Sequence, residues 1–129
     1  ASIVNDISAG SMDKKMIETV ASLSVPYILM HMKGTPQTMK NHAVYENVTH
    51  EVLDFFIAKT NELKEAGIQD IIIDPGFGFG KTIEHNFELL KNLFCYYIIF
   101  RVSDIYPWKY IAKICGITIS NNIKLGIRM

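Results

Sequence analysis

Apolar positions along the chain alternate between short continuous runs and helically spaced sets. "SIVNDISAG" (Ser2 to Gly10) has a β-branched centre and ends on glycine, which predicts a short strand. Asp13 is placed to cap a helix in which Met16, Ile17, Val20, Ala21 and Leu23 recur at near-helical spacing. "VPYILMHM" (Val25 to Met32) is a nearly unbroken apolar run, the pattern of a strand covered on both faces. The polar connection from Lys33 to Tyr45 is long enough to expect either function or disorder. An amphipathic helix then runs from about Glu46 to Ala66, with Val48, Val52, Phe55, Phe56 and Leu63 on its apolar side and Gly67 as its stop. "QDIIID" predicts the next strand. "TIEHNFELLKNL" predicts the next helix, with Ile83, Phe87, Leu90 and Leu93 as its apolar side. The order βαβαβα with parallel-type strands defines an α/β fold, and no repeat or low-complexity segment interrupts it.

The composition narrows the functional classes. The chain has 129 residues, 49% hydrophobic and 20% charged, which is globular and sized for one domain. Thirteen basic residues balance thirteen acidic ones, so no charge field points to nucleic acid or an acidic membrane. The apolar runs, such as Val25 to Met30 and Leu93 to Phe100, are too short to span a bilayer. Ala1 to Ile7 has neither the basic start nor the apolar centre of a signal peptide. Cys95 and Cys115 form no CxxC pair, so free thiols in a reducing cytoplasm are expected. The four histidines show neither HxxxH nor HxH spacing, and no metal-ligating residue is assigned.

The most conspicuous chemistry is "IIIDPGFGFGKT" (Ile71 to Thr82), where a strand runs into a glycine loop ending in Lys-Thr. A phosphate-binding P-loop needs glycine five positions before Gly80, and Pro75 stands there instead. Proline has no N–H to offer a phosphate. The dinucleotide pattern GxGxxG fails as well, because Gly76 and Gly78 would require glycine where Lys81 stands. Lys81 itself reads as a solvated loop lysine, with steering of an anion as the alternative.

Asp74 closes a run of three isoleucines, so it falls at the carboxyl end of a strand, where α/β folds place ligand sites. Its carboxylate has two readings. It caps the turn through the amides of Gly76 and Phe77, or it grips a ligand edge carrying two adjacent N–H groups. Phe77 and Phe79 are spaced to flank such a ring. Asn5-Asp6 puts two polar residues in a strand expected to be buried, and Met30 adds a polarisable side chain at the next strand end. Asn5, Met30 and Asp74 converging on one rim would describe a pocket for a flat, amide-rich heterocycle.

In order and spacing, "VNDISAG…D", "PYILMHMKGTPQTM" and "IIIDPGFGFGKTIEHNFELLKNL" resemble dihydropteroate synthase over about Ser2 to Leu93. The resemblance implies a partial TIM (β/α)8 barrel of about three to four βα units with parallel strands. It implies a transferase of folate synthesis that joins 6-hydroxymethyl-7,8-dihydropterin pyrophosphate to p-aminobenzoate, with Mg²⁺ assistance. By the motif match, Asn5 and Asp74 would be the catalytic pair and would hydrogen-bond the pterin. Met30, Gly78 and Phe79 would complete the substrate site. A homodimer would be compatible with the intact enzyme.

The family's metal-binding Asn loop, Thr-Arg loop and Ser-Ile-Asp-Thr strand have no counterpart here, nor do its Ser-Arg-Lys and Arg-x-His strands. The chain by itself is therefore expected to form no dihydropteroate. It divides into residues 1–93, the central units of a pterin-binding barrel, and a divergent tail, 94–129. "CYYIIF" and "KYIAKICGITIS" carry the Ile- and Tyr-rich composition of a shifted reading frame. A genuine strand from Tyr96 to Val102 is the alternative. Two other functions stay open at this point: a non-catalytic pterin-binding remnant, and a pterin-binding methyltransferase domain that works with a corrinoid partner.

Overall fold

A computed structural model describes residues 2–94 and 96 of the chain. They form three consecutive βα units: β1 (Val4–Asp6), α1 (Met16–Leu23), β2 (Tyr27–Met30), α2 (Val48–Glu65), β3 (Ile71–Asp74) and α3 (Ile83–Lys91). A 3-10 turn, Met39–His42, lies in the long connection before α2. The strands pair in the order β1-β2-β3, all parallel. Every carboxyl end therefore lies on one rim.

The register divides the sheet into two faces. Val4, Tyr27 and Ile71 are partners, as are Asp6, Leu29 and Ile73, and this face packs on the helices. Tyr27, Leu29, Val52, Phe56, Leu63 and Leu89 are almost wholly buried in the resulting core. The opposite face carries Asn5, Ile28 and Ile72 in one row and Met30 with Asp74 in the next. Strands covered on both faces were expected from the apolar runs; β2 is buried apart from the half-buried Ile28, but Ile72 is 47% exposed and Asn5 is exposed too. Among the described residues the helices lie on one side of the sheet, so this middle row stays open while Met30, at the rim of the same face, is buried. In a closed barrel that face would be the interior.

Local chemistry sets the helix boundaries. Asn47 caps α2 by accepting from the amide of His50 at 2.9 Å, and Gly67 ends the turn after it with φ +99°. Asp13 does not cap α1, whose first flanking residue is Lys15. Its carboxylate instead accepts from the Lys15 amide at 2.9 Å, in the turn ahead of the helix. The apolar side of α3 also needs correcting. Ile83, Phe87 and Leu90 are exposed, at 71%, 67% and 55%, whereas Leu89 is the buried residue of that helix. Beyond α3 the buried Tyr96 donates its hydroxyl to the Thr49 carbonyl at 2.7 Å. The expectations for the tail after Tyr96, and for Cys95 and Cys115, lie outside the described residues.

Candidate functional site

The rim brings two of the three sequence-derived residues together. Met30 and Asp74 are direct register partners, and the ladder continues past them through the His31 amide to the Asp74 carbonyl at 3.0 Å. Asn5 shares their face but sits one row lower, level with Ile28 and Ile72. A flat ligand lying on this face would meet Met30 and Asp74 at the rim and Asn5 further in. Met30 is 3% exposed and borders a hollow of about 240 Å³ with Ile7, Ser8 and Gly34.

Asp74 has one oxygen engaged and one available. Oδ1 accepts from the Gly76 amide at 2.8 Å, which is half of the turn-capping arrangement. Oδ2 takes no hydrogen bond from the described residues, and the residue is only partly buried. A fixed carboxylate with a free acceptor can receive a donor edge from a ligand without reorganising the turn.

The glycine loop behind it is held from several directions. Gly76, Gly78 and Gly80 all adopt positive φ, between +64° and +81°. A side chain at Gly76 would place its Cβ 2.0 Å from the His31 carbonyl oxygen, so the backbone approach itself requires glycine there. Gly78 is exposed and donates its amide to Asn86 Oδ1 at 2.9 Å; Phe79 is partly buried and donates to the Gly76 carbonyl at 3.1 Å. Phe77 does not accompany Phe79. It lines a separate hollow of about 290 Å³ with Ile83, Phe87 and Leu90 of α3.

Lys81 overturns its reading as a solvated lysine, since it is only 9% exposed. Its ammonium donates to the carbonyls of Gly76 at 2.9 Å, Phe79 at 3.0 Å and His31 at 3.2 Å. Burial lowers its pKa to about 8 against the opposing pull of Asp74, so it stays mostly protonated at neutral pH. All three ammonium donors are used. Lys81 therefore has none left for a phosphate, and Thr82 and His85 complete the point by forming the capping box of α3. The loop is a shaped rim for β3 and cradles no nucleotide.

The neighbouring loops are tied to it. Tyr45 donates its hydroxyl to the Gly80 carbonyl at 2.9 Å. Lys33 pairs with Glu51 at 2.8 Å and lies over the Tyr45 ring at 4.3 Å. The long connection is thus pinned at both ends against the glycine loop and α2. His31 is buried against the edge of Phe55, and burial followed by the charge of Lys81 lowers its pKa to about 3, keeping it neutral.

Asp6 holds the loop after β1 and, unlike Asn5, is buried. It accepts from the Tyr27 hydroxyl (2.7 Å), the Ser8 hydroxyl (2.6 Å) and the amides of Ser8 (2.8 Å) and Gly10 (2.6 Å). Burial pushes its carboxyl upward, but these bonds together outweigh it and hold the pKa below the usual carboxylate range. A lowered folded-state pKa contributes stability above the unfolded pKa and loses it as pH falls through the folded one. Asp6→Asn is accordingly expected to cost about 1–3 kcal/mol at pH 7. Urea titrations should show the gap to wild type closing as the pH drops below the carboxylate range. A gap independent of pH would mean the charge is not what matters.

Three parallel βα units thus carry a carboxylate and a methionine at the strand-end rim, with an asparagine one row below on the same face, where α/β folds place ligand sites. The sequence profile of the pterin binding enzyme family matches residues 1–101, and the chain belongs to that family. Within it, the chain is similar to dihydropteroate synthases. That of Haemophilus influenzae is 45% identical over 97 residues, covering 72% of this chain and 35% of its own length. That of Escherichia coli is 41% identical over 95 residues, covering 72% and 33%. The chain thus spans about a third of the length of these curated relatives.

Among solved structures, Yersinia pestis dihydropteroate synthase with a sulfonamide drug complex matches with a TM-score of 0.73 at 27% identity, over 92% of this chain and 52% of that one. The Thermus thermophilus enzyme in complex with 4-aminobenzoate gives 0.69 at 28% identity, over 91% and 58%. The three described βα units are therefore part of a TIM-barrel architecture.

Proposed function

We propose that this chain supplies the central, pterin-binding part of a dihydropteroate synthase. The reaction is transfer of the pterin methylene from pyrophosphate to the amine of p-aminobenzoate, giving 7,8-dihydropteroate. The observation that carries this reading is the Met30–Asp74 rim, with one Asp74 oxygen free and Asn5 on the same face. The Asp74 carboxylate and the Asn5 amide would accept and donate along the amide-like edge of the pterin, and Met30 would pack on its ring. Gly78 and Phe79 would border the side where p-aminobenzoate arrives. Departure of pyrophosphate leaves positive charge on the pterin methylene, and a fixed carboxylate at the far edge of the ring stabilises that charge through the conjugated system. Solved relatives bound to 6HMPPP and to 4-aminobenzoate support both substrates.

Among the described residues no group of three or more His, Cys, Asp or Glu side chains could hold a metal ion, so no step is assigned to one here. No described helix is long and apolar enough to cross a membrane, and a cytoplasmic setting accords with the reading.

Calorimetric titration of the chain with 6-hydroxymethylpterin tests the proposal. Saturable binding that Asn5→Ala weakens by about tenfold, the worth of one buried hydrogen bond, is expected. Binding indifferent to Asn5 would remove that residue from the site.

A further inference from the structure

Lys81 is a buried cation that the proposed chemistry does not use, and its surroundings show what it is for. The segment from Gly76 to Gly80 contains three glycines at positive φ, a loop with a large entropy to lose on ordering. Gly76 and Gly80 are confined by backbone packed against them, from His31 and from Lys33. Gly78 has nothing within 4 Å of where a Cβ would stand. The middle of the loop is thus sterically free, yet its two ends, the carbonyls of Gly76 and Phe79, meet on one ammonium. The third carbonyl on that ammonium belongs to His31, just past the end of β2, so the same cation joins two adjacent strand ends. The titratable group that acts on it is Asp74 of β3, and its own charge acts on the neutral His31.

We propose that Lys81 is a positioning residue of the site. Its ammonium gathers the carbonyls of His31, Gly76 and Phe79 onto one point, and so sets the loop that presents Gly78 and Phe79 beside Asp74. The assignment of what the loop presents rests on the pterin-binding reading. The gathering of the loop does not. Stability alone does not call for a charge at this place, because a buried ammonium loses its hydration, and an apolar side chain of similar length often serves the fold as well. What the apolar replacement cannot do is hold three carbonyls in one place. An arginine keeps the charge but spreads its donors over a plane and cannot converge them on one point.

The test compares the full chain with Lys81→Met and Lys81→Arg by amide hydrogen exchange and by titration with 6-hydroxymethylpterin. In Lys81→Met the amides of Gly78 and Phe79 should exchange about tenfold faster while those of Tyr27 and Leu29 keep their protection, and pterin affinity should fall by about tenfold. Lys81→Arg should restore little of either. Unchanged exchange at Gly78 and Phe79 in Lys81→Met overturns the proposal, as does uniform loss of protection across the sheet in both variants, which marks a residue that serves stability only. Should Lys81→Met fail to fold, nitrogen-detected NMR of the wild-type lysine ammonium groups decides. A Lys81 ammonium exchanging its protons far more slowly than the surface lysines supports the role, and one exchanging as fast refutes it. If wild type binds no pterin, the functional reading falls, and the exchange data still decide the role of Lys81.

Discussion

Asp74→Ala is expected to abolish measurable pterin binding while leaving the three βα units folded. The substitution removes the carboxylate oxygen that is free at the rim, together with the one that accepts from Gly76. Two donors on the pterin edge would lose their partner. A hydrogen bond to a charged group is worth about 1.5–3 kcal/mol, so the loss amounts to about 10²–10⁴-fold in affinity. Asp74→Asn separates the two roles. Its amide oxygen still accepts from the Gly76 amide, so the turn survives, but the charge and the second acceptor are gone. If Asp74 only caps the turn, the asparagine variant should bind as wild type does, and the alanine variant should fail through a disordered loop. If Asp74 holds the pterin, both should fail and only alanine should disturb the amides of Gly76 and Phe79. The measurement is calorimetric titration on this chain and on an intact synthase carrying Ile71–Asp74 and its loop, alongside exchange data for the loop. Wild-type affinity in both variants would leave the residue with no role in binding.

The α/β class, the stop of α2 at Gly67 and the strand-end position of Asp74 could all be read from the sequence, because each depends on local rules. Periodicity and caps act within a few residues. The face presented by α3 could not be read in that way. Ile83, Phe87 and Leu90 form an apolar stripe, but periodicity marks a face without saying what meets it, and in the described fold only Leu89 turns inward. Strand burial held for β2, where only Ile28 is partly open, but failed at Ile72 and Asn5 for the same reason. The apolar character of Ile28 and Ile72 suits a barrel interior, and the sheet formed by the described strands leaves that side uncovered.

The largest omission was Lys81, since no pattern of apolar and polar positions in "GFGFGKT" tells a solvated lysine from one folded back onto its own loop. A usable signal was present all the same. A run of glycines free to take positive φ turns carbonyls inward, and the nearest cation is the group available to receive them. Asp6 and Tyr27 lie twenty-one positions apart and meet only once β1 and β2 pair, so their bond was beyond any local rule. Asn5 shares a sheet face with Met30 and Asp74, yet the register lowers it by one row relative to Met30.

That same loop provides the largest expected effect on stability, at Gly76. Alanine there must hold a positive φ, which costs an L-residue about 1–2 kcal/mol. Its Cβ would also lie 2.0 Å from the His31 carbonyl oxygen, far inside any real contact. The obstacle is backbone, so it cannot rotate away as a side chain would. Either β2 and β3 part at the rim or the loop unwinds, and unwinding sacrifices the bond from the Gly76 amide to Asp74 and the one from the Lys81 ammonium to the Gly76 carbonyl. Relieving an overpacked site costs about 1–3 kcal/mol or more beyond the conformational term, giving about 2–5 kcal/mol or more in all. Against a total of about 5–15 kcal/mol for a typical domain, that is enough to leave much of the chain unfolded. Gly78→Ala is the matched control. It has a similar φ, +81°, and nothing within 4 Å of its Cβ, so it should lose only the conformational part, about 1–2 kcal/mol. Urea unfolding followed by circular dichroism measures both. A clear separation between the two variants locates the requirement for glycine at Gly76 in the close approach of β2, whereas equal losses would reduce it to backbone conformation alone.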